Sequence, residues 1–183
     1  MAFQFSKTKL DGVILIRPEV HYDERGFFLE SYTKKYFEEA GIKDEFVQDN
    51  HSFSIRNTIR GLHYQEEPYA QSKLIRCISG EIMDVVVDIR MDSDTFGKYV
   101  SAILSSENKN MLYIPRGFAH GFLVMSDYAE VVYKTDNYYS RDHERGIIWN
   151  DEDIGIDWPV KNPIISAKDK SWPGLRNIRG VRR

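Results

Sequence analysis

The sequence has little of what marks a secreted or membrane-embedded chain. Cys77 is the only cysteine among 183 residues, so no disulfide can form within the chain, and this fits a reducing compartment. No apolar run approaches the roughly 18 residues that a membrane-spanning helix needs. Residues 1–7 contain no apolar stretch of the kind that a signal peptide carries. We therefore expect a cytoplasmic protein that does not associate with membranes.

An excess of charge is also missing. The formal net charge is -3 and the pI is about 6.0, so nothing indicates a nucleic-acid-binding surface. Apolar residues make up 42% and charged residues 29% of the chain, which is ordinary for a globular protein. The length and the lack of a linker predict a single domain over residues 1–183.

Helical periodicity is scarce, and short segments rich in Val and Ile predominate. Residues 73–77 and 82–89 are joined through Ser79, Gly80 and Glu81, a pattern that predicts a β-hairpin. Further strands are predicted over residues 111–114, 121–125 and 129–135. One helix is predicted over residues 34–40, capped by Ser31 or Thr33 and followed by Gly41. The pattern predicts an all-β sandwich or barrel with one short helix, wrapped by an irregular tail that starts near Trp158.

Two glycine-flanked runs each place a histidine in an apolar, extended segment. Residues 60–65 read Arg-Gly-Leu-His-Tyr-Gln and contain His63, and residues 114–122 contain His120. A histidine in such a position can transfer a proton near neutral pH, or it can be a hydrogen-bonded polar group of the core.

Strand alternation can bring further polar groups beside these histidines. Side chains at alternate positions of a strand share one face, so His63, Lys73, Tyr133 and His120 can line one barrel interior. Each also has a structural interpretation: Lys73 can extend from a strand edge, and Tyr133 can simply pack. Asp84 and Asp88 would lie on the same face of their strand, and they are better explained as structural partners or solvated residues.

This set of side chains suits proton transfer next to a carbonyl group. A histidine base and a tyrosine acid on opposite sides of a substrate can invert a C–H centre, and a buried cation can stabilise the enolate. A metal site is not expected, because no second histidine stands beside His63 and Lys73 would repel a metal ion.

Many ordered motifs carry a resemblance that runs nearly from end to end. They occupy residues 23–30, 46–50, 60–65, 71–74, 84–90, 93–97, 114–122, 133–134, 149–151, 155–159 and 168–169. In these motifs the chain resembles the dTDP-4-dehydrorhamnose 3,5-epimerase family of the cupin superfamily. The resemblance implies a jelly-roll β-barrel and a homodimer. Asn57 and Ser72 stand where the family often has glycine, and asparagine tolerates the positive φ of a turn.

The resemblance also implies a reaction and its residues. The expected reaction inverts C3 and C5 of dTDP-4-dehydro-6-deoxy-D-glucose to give dTDP-4-dehydro-L-rhamnose, on the route to dTDP-L-rhamnose for cell-surface polysaccharide such as O-antigen. His63 is the expected base, oriented by Asp169, with Tyr133 as the acid and Lys73 as the group that stabilises the enolate. No metal or organic cofactor is expected, because the C4 carbonyl of the substrate is the electron sink.

The same resemblance implies a set of binding residues. Arginine suits bidentate phosphate binding, and the expected contacts to phosphate, nucleotide and sugar are Arg25, Glu30, Gln48, Asn50, Arg60, His120, Glu144 and Lys168. Tyr138 or a neighbouring aromatic residue is expected to stack on the base. Part of the nucleotide site is expected to come from the N-terminal strands of the partner chain.

Three alternatives remain open at this point. The chain can be an epimerase that inverts C3 alone on a related dTDP-4-keto-deoxysugar, although Tyr133 argues for double inversion. It can be a cupin that binds a sugar nucleotide without catalysis, or a metal-dependent cupin oxygenase.

Overall fold

The computed structural model describes residues 2–178 and consists mainly of short antiparallel strands. The strands in chain order are β1 (Phe3–Lys7), β2 (Ile14–Pro18), β3 (Val20–Asp23), β4 (Gly26–Leu29), β5 (Gln48–Ile55), β6 (Ile59–Gln65), β7 (Lys73–Ser79), β8 (Glu81–Asp88), β9 (Tyr99–Ser105), β10 (Met111–Ile114), β11 (Phe118–Val124), β12 (Tyr128–Thr135) and β13 (Glu144–Gly146). The same residues contain the α-helices α1 (Lys34–Glu39) and α2 (Ala167–Lys170).

The strands form two facing sheets and one separate hairpin. The six-stranded sheet has the order β1-β2-β10-β7-β12-β5, and the five-stranded sheet has the order β13-β6-β11-β8-β9. Among the described strands, β3 and β4 pair only with each other. The expected all-β class is confirmed, and the two facing antiparallel sheets form the expected jelly roll. Because consecutive strands such as β7 and β8 lie in opposite sheets, each sheet is assembled from distant parts of the chain.

The predicted β-hairpin between residues 73–77 and 82–89 is wrong. Strand β7 pairs with β10 and β12, whereas β8 pairs with β9 and β11. Gly80 between them has a φ of +76°, and a Cβ there would lie 2.1 Å from the carbonyl oxygen of Tyr128. The tight turn therefore crosses from one sheet to the other, and a local turn pattern does not distinguish this crossing from a hairpin.

The core lies on both sides of the five-stranded sheet, which explains why every residue of β8 after Glu81 is buried. Ile82 and Val86 face the other sheet, among side chains such as Ile75, Cys77 and Phe122. The alternate residues Met83, Val85 and Val87 face outward and are covered by the C-terminal tail through Ile154, Trp158 and Leu175. Burial of these side chains supplies the main driving force for folding.

The helix predicted over residues 34–40 is confirmed as α1, which has Thr33 at its N-cap. Gly41 follows with a φ of +91°, the conformation expected after a helix end. Asn57 has a φ of 65°, so asparagine does accommodate the turn where glycine was expected. The tail is irregular for most of its length, but it also contains α2, which the sequence analysis did not predict. Within residues 2–178 no helix is long and apolar enough to cross a membrane.

The β3–β4 hairpin exposes large apolar side chains. Tyr22 is 71%, Phe27 53% and Phe28 68% exposed. Isolated exposed apolar residues are common on protein surfaces, whereas a contiguous apolar patch marks an interaction site.

Candidate active site

His63 and Asp169 form a hydrogen-bonded pair at the open end of the barrel. His63 lies on β6, and its Nε2 donates to Asp169 Oδ1 over 2.7 Å. Because the proton on Nε2 is donated to this hydrogen bond, Nδ1 carries the lone pair and is free to accept a proton. The His63 side chain is 27% exposed and that of Asp169 is 5% exposed. The pair therefore joins an accessible imidazole to a buried carboxylate.

The short helix α2 fixes the position of Asp169. The Ser166 hydroxyl accepts a hydrogen bond from the Asp169 amide at 3.0 Å and so caps the first turn. The Asp169 carboxylate also accepts hydrogen bonds from the Gly61 amide and Trp172 Nε1, each at 3.3 Å. Burial raises the pKa of Asp169, but these hydrogen bonds, led by the one from His63, lower it below its usual value. The carboxylate is thus kept ionised beside the imidazole.

A second histidine–aspartate pair lies deeper between the sheets. His120 on β11 pairs in register with His63 on β6, and its Nε2 donates to Asp84 Oδ1 over 2.7 Å. The side chains of His120 and Asp84 are 9% and 0% exposed. Burial lowers the pKa of His120, although Asp84 opposes this shift. The imidazole of this second pair is therefore neutral.

Two glycines allow the strands that carry the histidines to approach closely. Gly61 on β6 has a φ of +136°, and a Cβ there would lie 2.5 Å from the Cα of Gly121 on β11. Any other residue at position 61 would be strained and would push the strands apart. The glycine that flanks each histidine run thus has a steric function.

Lys73 and Tyr133 reach the same region from the six-stranded sheet. The Nζ of Lys73, at the start of β7, donates to the His63 carbonyl oxygen at 3.3 Å. Burial lowers the pKa of Lys73 to about 8, against the opposing effect of Asp84 and Glu144. Burial also raises the pKa of Tyr133, so its phenol is neutral at pH 7. The convergence of His63, Lys73 and Tyr133 that strand alternation predicted is confirmed.

These groups line one cavity between the ends of the two sheets. Its walls consist of Gln48, Asn50, His63, Tyr64, Gln65, Gln71, Lys73, Tyr133, Tyr139 and Glu144. His120 is not among these lining residues; its side chain is 9% exposed, and it lies beside His63 on the neighbouring strand β11. Its contact with the sugar stays a prediction. The cavity combines a proton acceptor, a proton donor and a cation, which is the set of groups that enolate chemistry requires.

A hydrogen-bonded network closes one side of this cavity. Glu144 accepts from Lys168 Nζ at 2.7 Å and from the Tyr139 hydroxyl at 2.8 Å. Gln48 donates to Asn50 at 3.0 Å and accepts from the Tyr139 amide at 3.1 Å. Burial raises the pKa of Glu144, but the hydrogen bonds from Lys168 and Tyr139 lower it below its usual value. Four predicted binding residues are thereby held in one connected wall.

A second cavity adjoins the first on the other side of His63. It is lined by Phe53, Ser54, Ile55, Thr58, Ile59, Arg60, His63, Ile164, Ile165, Ser166, Lys168 and Asp169. Arg60 is oriented by Ser54 Oγ, which accepts from its Nε at 2.8 Å, and by the Phe53 carbonyl oxygen at 3.1 Å. Arg60 and Lys168 give this groove a positive charge that suits an anionic ligand.

Arg25 and Glu30 are not brought to either cavity within one chain. The Arg25 side chain is 84% exposed in the β3–β4 hairpin and pairs with Asp23 over 2.5 Å. The Glu30 carboxylate accepts a hydrogen bond from the Thr33 hydroxyl. These two predicted binding residues therefore lie apart from the other ten predicted site residues.

The sequence analysis did not identify several residues of the site. Gln71 lines the cavity and was not among the predicted site residues. Tyr139 also lines it and is the aromatic neighbour that the sequence analysis allowed as an alternative to Tyr138, whereas Tyr138 itself is 63% exposed and is not among the lining residues. Tyr139 lies in a loop, where strand alternation gives no signal. Within residues 2–178 no group of three or more His, Cys, Asp or Glu side chains could hold a metal ion.

Comparison with known proteins shows one family. The chain matches the sequence model described as dTDP-4-dehydrorhamnose 3,5-epimerase over residues 7–177. It is 61% identical over 164 residues to the dTDP-4-dehydrorhamnose 3,5-epimerase of Shigella flexneri, which covers 89% of this chain and 91% of the relative.

Solved structures agree with this match. The dTDP-6-deoxy-D-glucose-3,5-epimerase of Legionella pneumophila Philadelphia 1, in complex with dTDP-4-keto-L-rhamnose, superposes with a TM-score of 0.93 at 45% identity. The match covers 96% of this chain and 94% of that chain. A 3'-monoepimerase of Streptomyces bikiniensis, in complex with dTDP-quinovose, superposes with a TM-score of 0.88 at 32% identity, covering 92% and 86% of the two chains. The fold is thus common to single and double epimerases.

Proposed function

The chain belongs to the dTDP-4-dehydrorhamnose 3,5-epimerase family, and on that premise we propose that it inverts both C3 and C5 of dTDP-4-dehydro-6-deoxy-D-glucose. The product is dTDP-4-dehydro-L-rhamnose, and the reaction serves dTDP-L-rhamnose synthesis in the cytoplasm. The observation that carries the proposal is that His63 and Tyr133 line one cavity from opposite sheets, with Lys73 beside them. The identity of 61% with a double epimerase, against 32% with a 3'-monoepimerase, favours inversion at both carbons.

The first half of each inversion is removal of a proton beside the ketone. His63 Nδ1 takes the proton from C3 or C5, and the electron pair of the C–H bond moves into the C4 carbonyl to form an enolate. Asp169 accepts the hydrogen bond from His63 Nε2–H and stabilises the imidazolium that forms when Nδ1 is protonated. The ammonium of Lys73 stabilises the negative charge on the C4 oxygen.

The second half returns a proton to the opposite face of the sugar. Tyr133 comes from β12 in the sheet that faces His63, and its raised pKa keeps the phenol protonated. A proton delivered from that side gives the inverted centre, whereas a proton returned by His63 restores the substrate. No cofactor enters the scheme, because the C4 carbonyl of the substrate holds the electron pair.

The nucleotide is assigned to the groove next to the cavity. Arg60 and Lys168 supply positive charge for the diphosphate, and Gln48, Asn50 and Glu144 supply hydrogen-bonding groups nearby. His120, which is paired in register with His63 on the neighbouring strand, is assigned to the sugar end of the ligand.

Arg25 and Glu30 complete the site if the protein is a homodimer. The apolar β3–β4 hairpin is exposed in one chain, and docking it on a second copy would bury Tyr22, Phe27 and Phe28. Arg25 would then reach the diphosphate bound by the partner. Activity restored by mixing R25A and H63N subunits, each inactive alone, would support this assignment, because one site of the mixed dimer is intact. Failure of the mixture to recover activity would contradict it.

Proton NMR in D2O tests the reaction itself. Protein incubated with dTDP-4-dehydro-6-deoxy-D-glucose should incorporate deuterium at C3 and at C5 and yield the L-rhamno product. The H63N variant serves as the matched control for exchange that does not depend on the enzyme. Absence of exchange at both carbons would overturn the proposal, and exchange at C3 alone would identify a single epimerase.

A further inference from the structure

The buried carboxylate of Asp84 has an unusual environment. It lies on the interior face of β8 between Ile82 and Val86, which belong to the apolar core. Oδ1 accepts a hydrogen bond from His120 Nε2 at 2.7 Å. Oδ2 is fully buried and has no hydrogen-bond partner among the described residues. A buried polar atom without a partner in the protein is rare in native structures, so this carboxylate differs from the apolar core around it.

His120 does not neutralise this carboxylate. Burial lowers the pKa of His120, so the imidazole donates a hydrogen bond but carries no positive charge at pH 7. A buried charge is strongly disfavoured unless another charge compensates it. The compensating cation must therefore come from another element that faces the interior.

Lys73 is the cation in that position. Its side chain lies on the same interior face of β7 as Ile75 and Cys77. Among the anions, Asp84 has the largest effect on the pKa of Lys73 and raises it. Within residues 2–178 no carboxylate forms a direct ion pair with its ammonium, and its hydrogen bond goes to the His63 carbonyl oxygen. Lys73 and Asp84 are thus opposite charges on the interior sides of strands from facing sheets, without an ion pair between them among the described residues.

The other titratable groups around Lys73 do not take this role. His63, Tyr64, Tyr133, Tyr139 and Glu144 line the same cavity, and His120 lies beneath it. Glu144 is the only other anion of this set, and it already pairs with Lys168 over 2.7 Å. Asp84 is therefore the anion near Lys73 that has no cation of its own.

We propose that Asp84 is a positioning residue of the reaction: anchored by His120, its carboxylate keeps the Lys73 ammonium charged without contacting it. A direct salt bridge would occupy the ammonium protons that the C4 oxygen of the substrate needs. The hydrogen bond to His120 holds the carboxylate back, so the charge acts on Lys73 while its donors point to the cavity. This role rests on the proposed epimerase function and extends it to a residue that never touches the substrate.

The pH dependence of activity tests this role. Since the pKa of Lys73 is already lowered to about 8, removing the Asp84 charge lowers it further, and the ammonium is lost earlier as pH rises. In D84N the basic limb of kcat/KM should move down by about one to two pH units. D84E keeps the charge and should keep the basic limb near its original position, even if its rate is lower.

D88N is the matched control. Asp88 lies on the same strand with the same parity and 0% exposure, but it pairs with Arg90 over 2.6 Å. D88N should lower stability and leave the basic limb unmoved. An unmoved basic limb in D84N, with the rate reduced equally at every pH, would overturn the proposal.

A stability cycle tests the pairing without reference to catalysis. K73M leaves the Asp84 carboxylate without its cation, so adding D84N to K73M should raise the melting temperature above that of K73M alone. Added to the original protein, D84N should lower it. An equal loss in both backgrounds would overturn the pairing. Because this measurement needs no substrate, it separates failure of the pairing from failure of the proposed epimerase function.

Discussion

The two histidine–aspartate pairs have the same geometry and different surroundings. His63–Asp169 and His120–Asp84 each have an N···O distance of 2.7 Å, and the two histidines are paired in register on adjacent strands. The first imidazole is 27% exposed at the edge of a cavity, whereas the second is 9% exposed beneath it. In the proposed mechanism, access to substrate and solvent, more than the pairing itself, distinguishes the pair that transfers protons from the pair that sets local charge.

The carboxylates of the two pairs differ as well. Asp169 comes from the tail and accepts hydrogen bonds from His63, Gly61 and Trp172. Asp84 comes from the middle of a central strand and accepts a hydrogen bond from His120 alone among the described residues. Loss of the histidine therefore leaves Asp169 supported and Asp84 without a partner.

The largest expected effect on activity follows from removing the histidine of the first pair. Replacing His63 with Asn removes the base, and kcat should fall by about 10³- to 10⁴-fold. The melting temperature should change by less than about 4 °C, because Asp169 keeps two other donors. Steady-state kinetics with a thermal melt measure both quantities. A loss of activity below tenfold would show that His63 is not the base.

A smaller loss of activity is expected when His63 is kept and the negative charge of Asp169 is removed. Asp169→Asn should lower kcat by about 10²-fold, because the imidazolium loses its counter-ion and the imidazole its orientation. KM should change far less than kcat, which titration of the substrate concentration can measure. Equal changes in kcat and KM would indicate instead that Asp169 acts in substrate binding.

Removing the histidine of the second pair should mainly lower the stability of the protein. His120→Leu should lower the free energy of unfolding by about 1–3 kcal/mol, because it leaves the Asp84 carboxylate buried without a hydrogen bond. The same replacement at His63 should cost less than about 1 kcal/mol, since Asp169 retains Gly61 and Trp172. Urea unfolding of the two variants compares them directly. Equal losses would contradict the distinction between the pairs.

The smallest expected effect is that of Asp169→Asn on the basic limb of the pH profile, which should not move. Burial lowers the pKa of Lys73 to about 8, so its cation is present below that pH and is lost as pH rises through it. The value of kcat/KM should therefore fall about tenfold for each pH unit above 8. Asp169→Asn should leave this limb in place, because Asp169 is not among the charges that act on Lys73. A limb that moves in this variant would show that the two pairs are coupled.

Strand alternation predicted the interior set from particular residues. His63, Lys73 and Tyr133 each lie on the same face of their strand as apolar neighbours. This alternation along a strand does not depend on which other strand it pairs with. The crossover at Gly80 could not be predicted, because a tight turn looks the same whether the chain stays in one sheet or crosses to the other. The positions of the strands could therefore be predicted from the sequence, but the sheet to which each strand belongs could not.

Two contacts of the site depend on distant parts of the chain. Asp169 lies 106 residues from His63, and only the resemblance to a known family indicated their pairing. The bond between Asp84 and His120 depends on the register of β8 against β11, which is fixed by packing across both sheets. The position of Arg25 outside the cavities is set by the β3–β4 hairpin. Sequence patterns within one chain do not predict where this hairpin would dock on a second copy.

The burial of Cys77 has a practical consequence for spectroscopy. Its side chain packs in the interior, and burial raises the pKa of the thiol to about 11, so very little reactive thiolate is present at pH 7. A cysteine introduced at the exposed tip of the β3–β4 hairpin, such as E24C, would react selectively with maleimide or nitroxide reagents. One fluorescent or spin label per chain could then report the distance between hairpins in an assembly, without first removing the native thiol.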